Sequence, residues 1–256
     1  MNNPYADPNN YQQVPQRGGA RTGKVLLIIF GVLAVVGLLC AGVMAILLFP
    51  AVSAARSAAQ RVQSQNNLKQ IALAFYSYEE AYGNFPPAYT VDGEGNKLHS
   101  WRTIILPYIE QEALFQNIDL TKPWDDPVNL PFTTVDIPTY MSAAVELGPG
   151  QTSYVAVVDP SGVFSGEATT ELRDIGDGTS NTLAVVEVGS AQAVSWMSPS
   201  DMDLQTFTSG NLETPHLGVF NAAMCDGSVQ PISESLGPQD RAALVSKDGS
   251  EPPIGF

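Results

Sequence analysis

The sequence predicts an α+β protein in which one long N-terminal helix, part membrane span and part stalk, packs on a small antiparallel sheet. Three observations carry that prediction. Residues 25–49 hold no charged side chain. Residues 51–82 repeat apolar side chains at spacings of three and four, with no Gly or Pro between them. Further on, short β-branched and apolar runs alternate with Gly, Pro and Asp turns. A long helix followed by antiparallel strands is the α+β order.

Taken in order, residues 1–23 are rich in Asn, Gln, Pro, Tyr and Gly, with almost no aliphatic side chains. Such a segment buries too little apolar surface to offset chain entropy and is expected to be a disordered polar tail. Residues 24–49 read as a transmembrane helix, since a span needs roughly 20 apolar residues. A cleaved secretory signal is the alternative. Arg17, Arg21 and Lys24 resemble its basic region, and an A-x-A-like site can be drawn around Ser53–Ala55. The apolar stretch exceeds the usual h-region of about 7–15 residues, which favours retention. Leu39 before Cys40 also lacks the small residue of a lipoprotein cleavage site.

Residues 50–256 form the ectodomain, and residues 50–82 its helical stalk. Ala51, Ala55, Ala58, Val62, Leu68, Ile71, Phe75, Tyr78 and Tyr82 make the apolar stripe. The spacing predicts Phe75 and Tyr78 buried, Gln63 and Lys69 exposed. Gly83 ends the helix, and Pro86-Pro87 prevents its restart. Residues 100–117 give a shorter amphipathic segment, interrupted at Pro107. Ser153–Val158 and Gly162–Phe164 flank an Asp-Pro-Ser-Gly turn and read as a hairpin. Thr182–Val188 suits a buried strand. Val219–Cys225 and Ser228–Ile232 read as a second hairpin around Asp226-Gly227. Pro238 opens a last helix over residues 239–246.

From Pro50 onward the chain carries 9 basic and 25 acidic residues, a formal charge of −16. A surface this acidic repels phosphate backbones, which excludes nucleic acid as a partner. Cys40 sits mid-span and Cys225 far beyond it, so no intrachain disulfide is expected. His99 and His216 are the only histidines, too few for an imidazole-rich metal site. No G-x-S-x-G, H-E-x-x-H, P-loop or G-x-G-x-x-G occurs. Ser180, His216 and Asp226 could be drawn as a triad, but nothing in their local sequence presents a nucleophile. The chain reads as a non-enzyme.

Four separated motifs resemble one family. Asn66-Asn67-Leu68-Lys69-Gln70-Ile71 leads into Tyr82-Gly83-Asn84-Phe85-Pro86-Pro87-Ala88. Ser100-Trp101-Arg102 precedes Leu106-Pro107-Tyr108-Ile109-Glu110-Gln111. Asp174-Ile175-Gly176-Asp177-Gly178-Thr179-Ser180-Asn181-Thr182 is followed by Glu187, and His216 by Asp226-Gly227 after nine residues. Together these resemble domain-of-unknown-function family 1559, the H-x9-DG pseudopilin-like bacterial envelope proteins, over residues 50–255. The resemblance implies a type IV pilin or pseudopilin-like fold and export of the C-terminal domain outside the cytoplasmic membrane. Charge alone leaves orientation tied, because Arg56, Arg61 and Lys69 mirror the three basic residues before the span. Ile28 stands where a prepilin carries its glutamate, so the span reads as an ordinary single-pass anchor without the prepilin cleavage motif.

Asp174, Asp177, Asn181, Glu187 and Asp226 are the candidate oxygen ligands for Ca²⁺, the one cofactor considered. The plainer reading makes Asp177–Asn181 a self-satisfied Asx or Ser/Thr turn. Likewise Asp226 and Gly227 suit a hairpin turn, and His216 a structural hydrogen bond. Trp101, Trp124 and Trp196 are expected to cap the sheet core. The function expected is a non-catalytic, membrane-anchored envelope protein with a structural or interaction role and protein partners in the envelope. An envelope solute-binding receptor is the alternative, and it calls for a deep pocket between lobes.

Overall fold

The computed structural model describes residues 19–210 and 212–249, with the side chains of residues 19–22 left aside. Most of the expected polar tail and the last seven residues lie outside the described residues. The chain divides into two compact units, Met1–Ala54 and Ala55–Phe256.

Helix α1 runs Gly19–Tyr82 and keeps Pro50 inside it. Pro50 has no N–H, so one carbonyl a turn earlier loses its helical partner. Between Gly23 and Ala54 every side chain is exposed. Gly83 stops the helix at φ 79°, the left-handed conformation that suits glycine after a helix end.

Within the second unit, α1 buries Ser64, Asn67, Leu68, Ile71, Ala72, Ala74 and Phe75, while Gln63 and Lys69 are exposed. The apolar stripe read from spacing is corrected at six places, beginning with Ala51, Ala55 and Ala58, which are exposed. Val62 is 54% exposed and Tyr82 61%, and Tyr78 is half-buried. The sheet surface facing the first turns is polar, so the helix presents Ser64 and Asn67 to it. At about 100° per residue, that rotation carries Val62 outward.

Ten strands are described: β1 (Tyr89–Val91), β2 (Lys97–Ser100), β3 (Gln151–Thr152), β4 (Tyr154–Val155), β5 (Val157–Val158), β6 (Leu183–Glu187), β7 (Val194–Ser195), β8 (Met202–Asp203), β9 (Val219–Met224) and β10 (Val229–Ser233). Short helices α2 (Trp101–Ile104), α3 (Glu112–Phe115), α4 (Leu204–Thr208) and α5 (Pro238–Val245) intervene. The main sheet has the order β10-β9-β6-β4, antiparallel throughout. Two further antiparallel pairs, β1–β2 and β3–β7, and one parallel pair, β5–β8, complete the α+β fold.

The β9–β10 hairpin forms around Asp226-Gly227, with Gly227 at φ 81° beneath the Tyr76 ring. The first expected hairpin does not form as such. Tyr154–Val155 pairs instead with β6, and Val157–Val158 with β8. Only an isolated bridge joins Val158 to Phe164. Long-range partners outcompete the local turn.

A register shift in β6 between Leu183 and Val185 sets which face each side chain takes. Ala184 and Val185 join the core beneath α1, whereas Leu183, Val186 and Val188 join a second core on the far face with Phe220 and Leu244. The first core centres on Phe75, whose ring lies 5.2 Å from Trp101, 5.6 Å from Phe164 and 6.1 Å from Phe85. Phe75→Ala should therefore cost about 3–5 kcal/mol. Leu73→Ala, on the exposed face two residues away, should stay within about 0.5 kcal/mol. Denaturant titration of the detergent-solubilised chain measures both.

Candidate functional site

The polar half of the α1–sheet contact is built around Glu187, the last residue of β6, which is 0% exposed. Three donors answer its carboxylate. Ser142 Oγ donates to Oε1 at 2.5 Å, His216 Nε2 to Oε2 at 3.0 Å, and Asn221 Nδ2 to Oε2 at 2.8 Å. Burial by itself would push the carboxyl up. The hydrogen bonds it accepts, those from His216 and Ser142 foremost, outweigh it and hold Glu187 below the ordinary glutamate value.

Neighbouring strands and α1 extend the network. Tyr154, the Cα partner of Glu187 on β4, donates its hydroxyl to Ser64 Oγ at 3.1 Å. Asn67 Nδ2 donates to the Met141 carbonyl at 2.9 Å, and Thr139 Oγ1 to Gln70 Oε1 at 3.0 Å. The segment carrying Ser142 is thus tied to the helix that faces Glu187.

A second buried charge sits at Ser100-Trp101-Arg102. The Arg102 guanidinium pairs with Asp201, and both side chains are almost completely shielded. Arg102 Nε also donates to the Tyr154 carbonyl at 3.0 Å, and Asp201 accepts the Ala156 N–H at 2.8 Å. The pair clamps α2 and the residue before β8 to Tyr154 of β4 and to Ala156.

The residues proposed for calcium do not gather. Asp174 accepts the Glu171 N–H in a capping box, Asp177 the Gly249 N–H at 2.7 Å, and Asp226 the Ser228 N–H at 2.8 Å. Asn181 Nδ2 donates to the Asp177 carbonyl at 3.0 Å, and Gly178 takes φ 93°. Glu187 is spent on the buried network. No group of three or more His, Cys, Asp or Glu side chains placed to hold a metal ion occurs among the described residues. The loop holds itself and docks on the β9–β10 turn, where the Asp226 N–H donates to the Thr179 carbonyl at 2.9 Å. The Ser180–His216–Asp226 set does not assemble either: no hydrogen bond joins any two of them. Gly227, the other motif residue, is required by its backbone conformation.

A family model described as a protein of unknown function, DUF1559, matches residues 53–214. The chain belongs to that family. No curated protein and no solved structure matches it. The DUF1559 match takes in Asn67, Arg102, the 174–182 loop and Glu187. It stops short of His216 and of Asp226-Gly227.

Sequence spacing points neither to Ser64, Ser142 and Asn221 in the network nor to Asp201 beside Arg102. One signal was present. Asn221 interrupts the apolar run Val219–Met224 on a strand that is buried from Phe220 onward, and a buried Asn needs partners.

Glu187→Gln places an amide NH₂ against groups that already donate, and should cost about 2–3 kcal/mol. Because its folded pKa is depressed, Glu187 stabilises the fold above the ordinary value of 4.5, and that contribution is lost as pH falls through the lower folded value. Denaturation midpoints should thus fall in acid for the natural chain, and less steeply for the variant. Melting curves in calcium, magnesium and chelator should superimpose. A rise confined to calcium would restore the loop as a cation site.

Proposed function

We propose that the protein is a single-pass anchor of the cytoplasmic membrane carrying a pseudopilin-like ectodomain outside the cytoplasm, with a non-catalytic structural or interaction role. The observation that carries the reading is the apolar half of α1. Within Gly23–Tyr82 an 18-residue window reaches a mean hydropathy of 2.9 with none of it buried. Leaving apolar surface in water costs about 25 cal/mol per Å², so a row from Val25 to Phe49 needs a bilayer around it. A secretory signal meets the same test of length and composition. Uninterrupted helix through Ser53–Ala55, the only drawn cleavage site, favours retention.

The interaction role is supported by how the polar residues are used. Glu187, Arg102 and Asp201 are internal and fully engaged, as expected for groups that fix a scaffold. Residues 55–256 make one unit, whereas the receptor alternative calls for two lobes about a cleft. The pseudopilin-like assignment rests on motif resemblance together with a long helix on a small antiparallel sheet.

The test is biochemical. The chain should remain in the membrane pellet after carbonate washing, with an intact mass that includes residues 25–49. Protease added outside spheroplasts should remove the ectodomain. A mature N-terminus near Ala55, or an ectodomain shielded from outside protease, would overturn the reading.

A further inference from the structure

We infer that the groove between α1 and the 214–219 segment binds the C-terminal end of a peptide or protein chain, recognised by its terminal carboxylate and the adjacent amide N–H. The inference goes beyond the anchored role proposed above and stands without it. The groove has a volume of about 550 Å³ and is lined by Ser57, Ala58, Gln60 and Arg61 of α1 and by residues 214–219. That is within the ~300–1,000 Å³ of ligand-sized pockets.

Arg61 is the one lining residue with a fixed charge. None of the lining residues is acidic, although the chain from Pro50 onward carries 25 carboxylates. A neighbouring acid, Glu234, already accepts the Thr214 hydroxyl at 3.1 Å. Arg61 makes no ion pair and no hydrogen bond among the described residues, and its Nε is shut off from water without an acceptor. The guanidinium is the side chain best shaped to take a carboxylate.

His216 supplies the complementary group. Glu187 is ionised and can only accept, so the Nε2 it holds must be the protonated nitrogen. In the neutral ring that leaves Nδ1 as a bare acceptor, and Nδ1 has no partner among the described residues. A guanidinium donor and an imidazole acceptor lining one groove match a carboxylate preceded by its own amide N–H. Ala58 and Val219 provide an apolar wall, and Leu217 stands 102% exposed at the groove. The turn that presents these groups is fixed by the Val219 N–H donating to the His216 carbonyl at 2.9 Å, with Gly218 at φ 70°.

The full-length protein in detergent is titrated calorimetrically with three probes: a neutral hexapeptide ending in leucine with a free carboxylate, the same peptide amidated, and N-acetylleucine. The free-acid hexapeptide should bind, the amide at least about tenfold more weakly, and N-acetylleucine more weakly than the hexapeptide. Arg61→Gln should lower the hexapeptide affinity about ten- to a hundredfold, with thermal melting unchanged. Arg56→Gln, an exposed basic residue outside the groove, should leave it as it was. Acid and amide binding alike, no hexapeptide binding at millimolar concentration, or the same loss in both Arg variants would overturn the site. N-acetylleucine binding as tightly as the hexapeptide would overturn the chain terminus as its occupant.

Discussion

A carboxylate with no access to water must have its oxygens answered by donors, and Glu187 imposes that demand at the centre of this domain. Its donors come from three places remote in sequence: Ser142 on a loop, Asn221 on β9 and His216 beyond α4. Each must arrive within hydrogen-bond reach, so the carboxylate dictates where those segments lie. It also dictates the face of α1, because Tyr154 and Asn221 bring polar atoms to the same surface. Gln65 Nε2 reaches Asn221 Oδ1 at 3.4 Å, and Ser64 accepts from Tyr154. Hydrophobic burial around Phe75 supplies most of the driving force, but it is non-directional. The hydrogen bonds select one registration of helix on sheet.

The sequence motifs are therefore stitches. Asn67 fastens the 138–141 segment, and the Trp101 N–H donates to the Ala88 carbonyl at 3.0 Å, joining the Pro-Pro-Ala turn to α2. Arg102 and Asp201 lock α2 to the residues flanking β4 and β5. Tyr76 donates its hydroxyl to the Cys225 carbonyl at 2.7 Å, holding the Asp-Gly turn against the helix. A buried ion pair such as Arg102–Asp201 adds little net stability over a well-packed apolar pair, while removing one partner is expensive. Its effect lies in excluding other arrangements of the same elements.

Local chemistry was legible wherever local chemistry decided the outcome. Gly83 ends α1, Asp226-Gly227 turns a hairpin and Pro238 opens α5, each because one backbone conformation or one missing N–H suffices. The all-buried β6 showed in its β-branched run. Periodicity failed at Val62 because it records which residues are apolar, and the first buried positions of the ectodomain helix, Ser64 and Asn67, are polar. The expected hairpin at 153–164 failed for a related reason. A turn proposes local pairing, but strand partners 30 to 45 residues away, such as Glu187 for Tyr154 and Met202 for Val157, are invisible in any window of sequence. Glu187 and His216 both stand out in the sequence motifs. That they would bond each other depended on the fold.

The failure of the carboxylates at 174–181 and 226 to gather follows from what each one does. A cation site concentrates oxygen ligands around a point and leaves their lone pairs for the ion. Here Asp174, Asp177 and Asp226 each accept a backbone N–H, the arrangement by which short acidic side chains hold irregular chain in place. Their charge remains on the surface and adds to a field that repels anions almost everywhere on the ectodomain. Against that field, the groove lining carries Arg61 and no acid of its own. The acidity of the rest sharpens the discrimination: a carboxylate ligand is turned away elsewhere and accepted at one place. The same domain thus uses its acids to secure loops and its unpaired arginine to offer a contact.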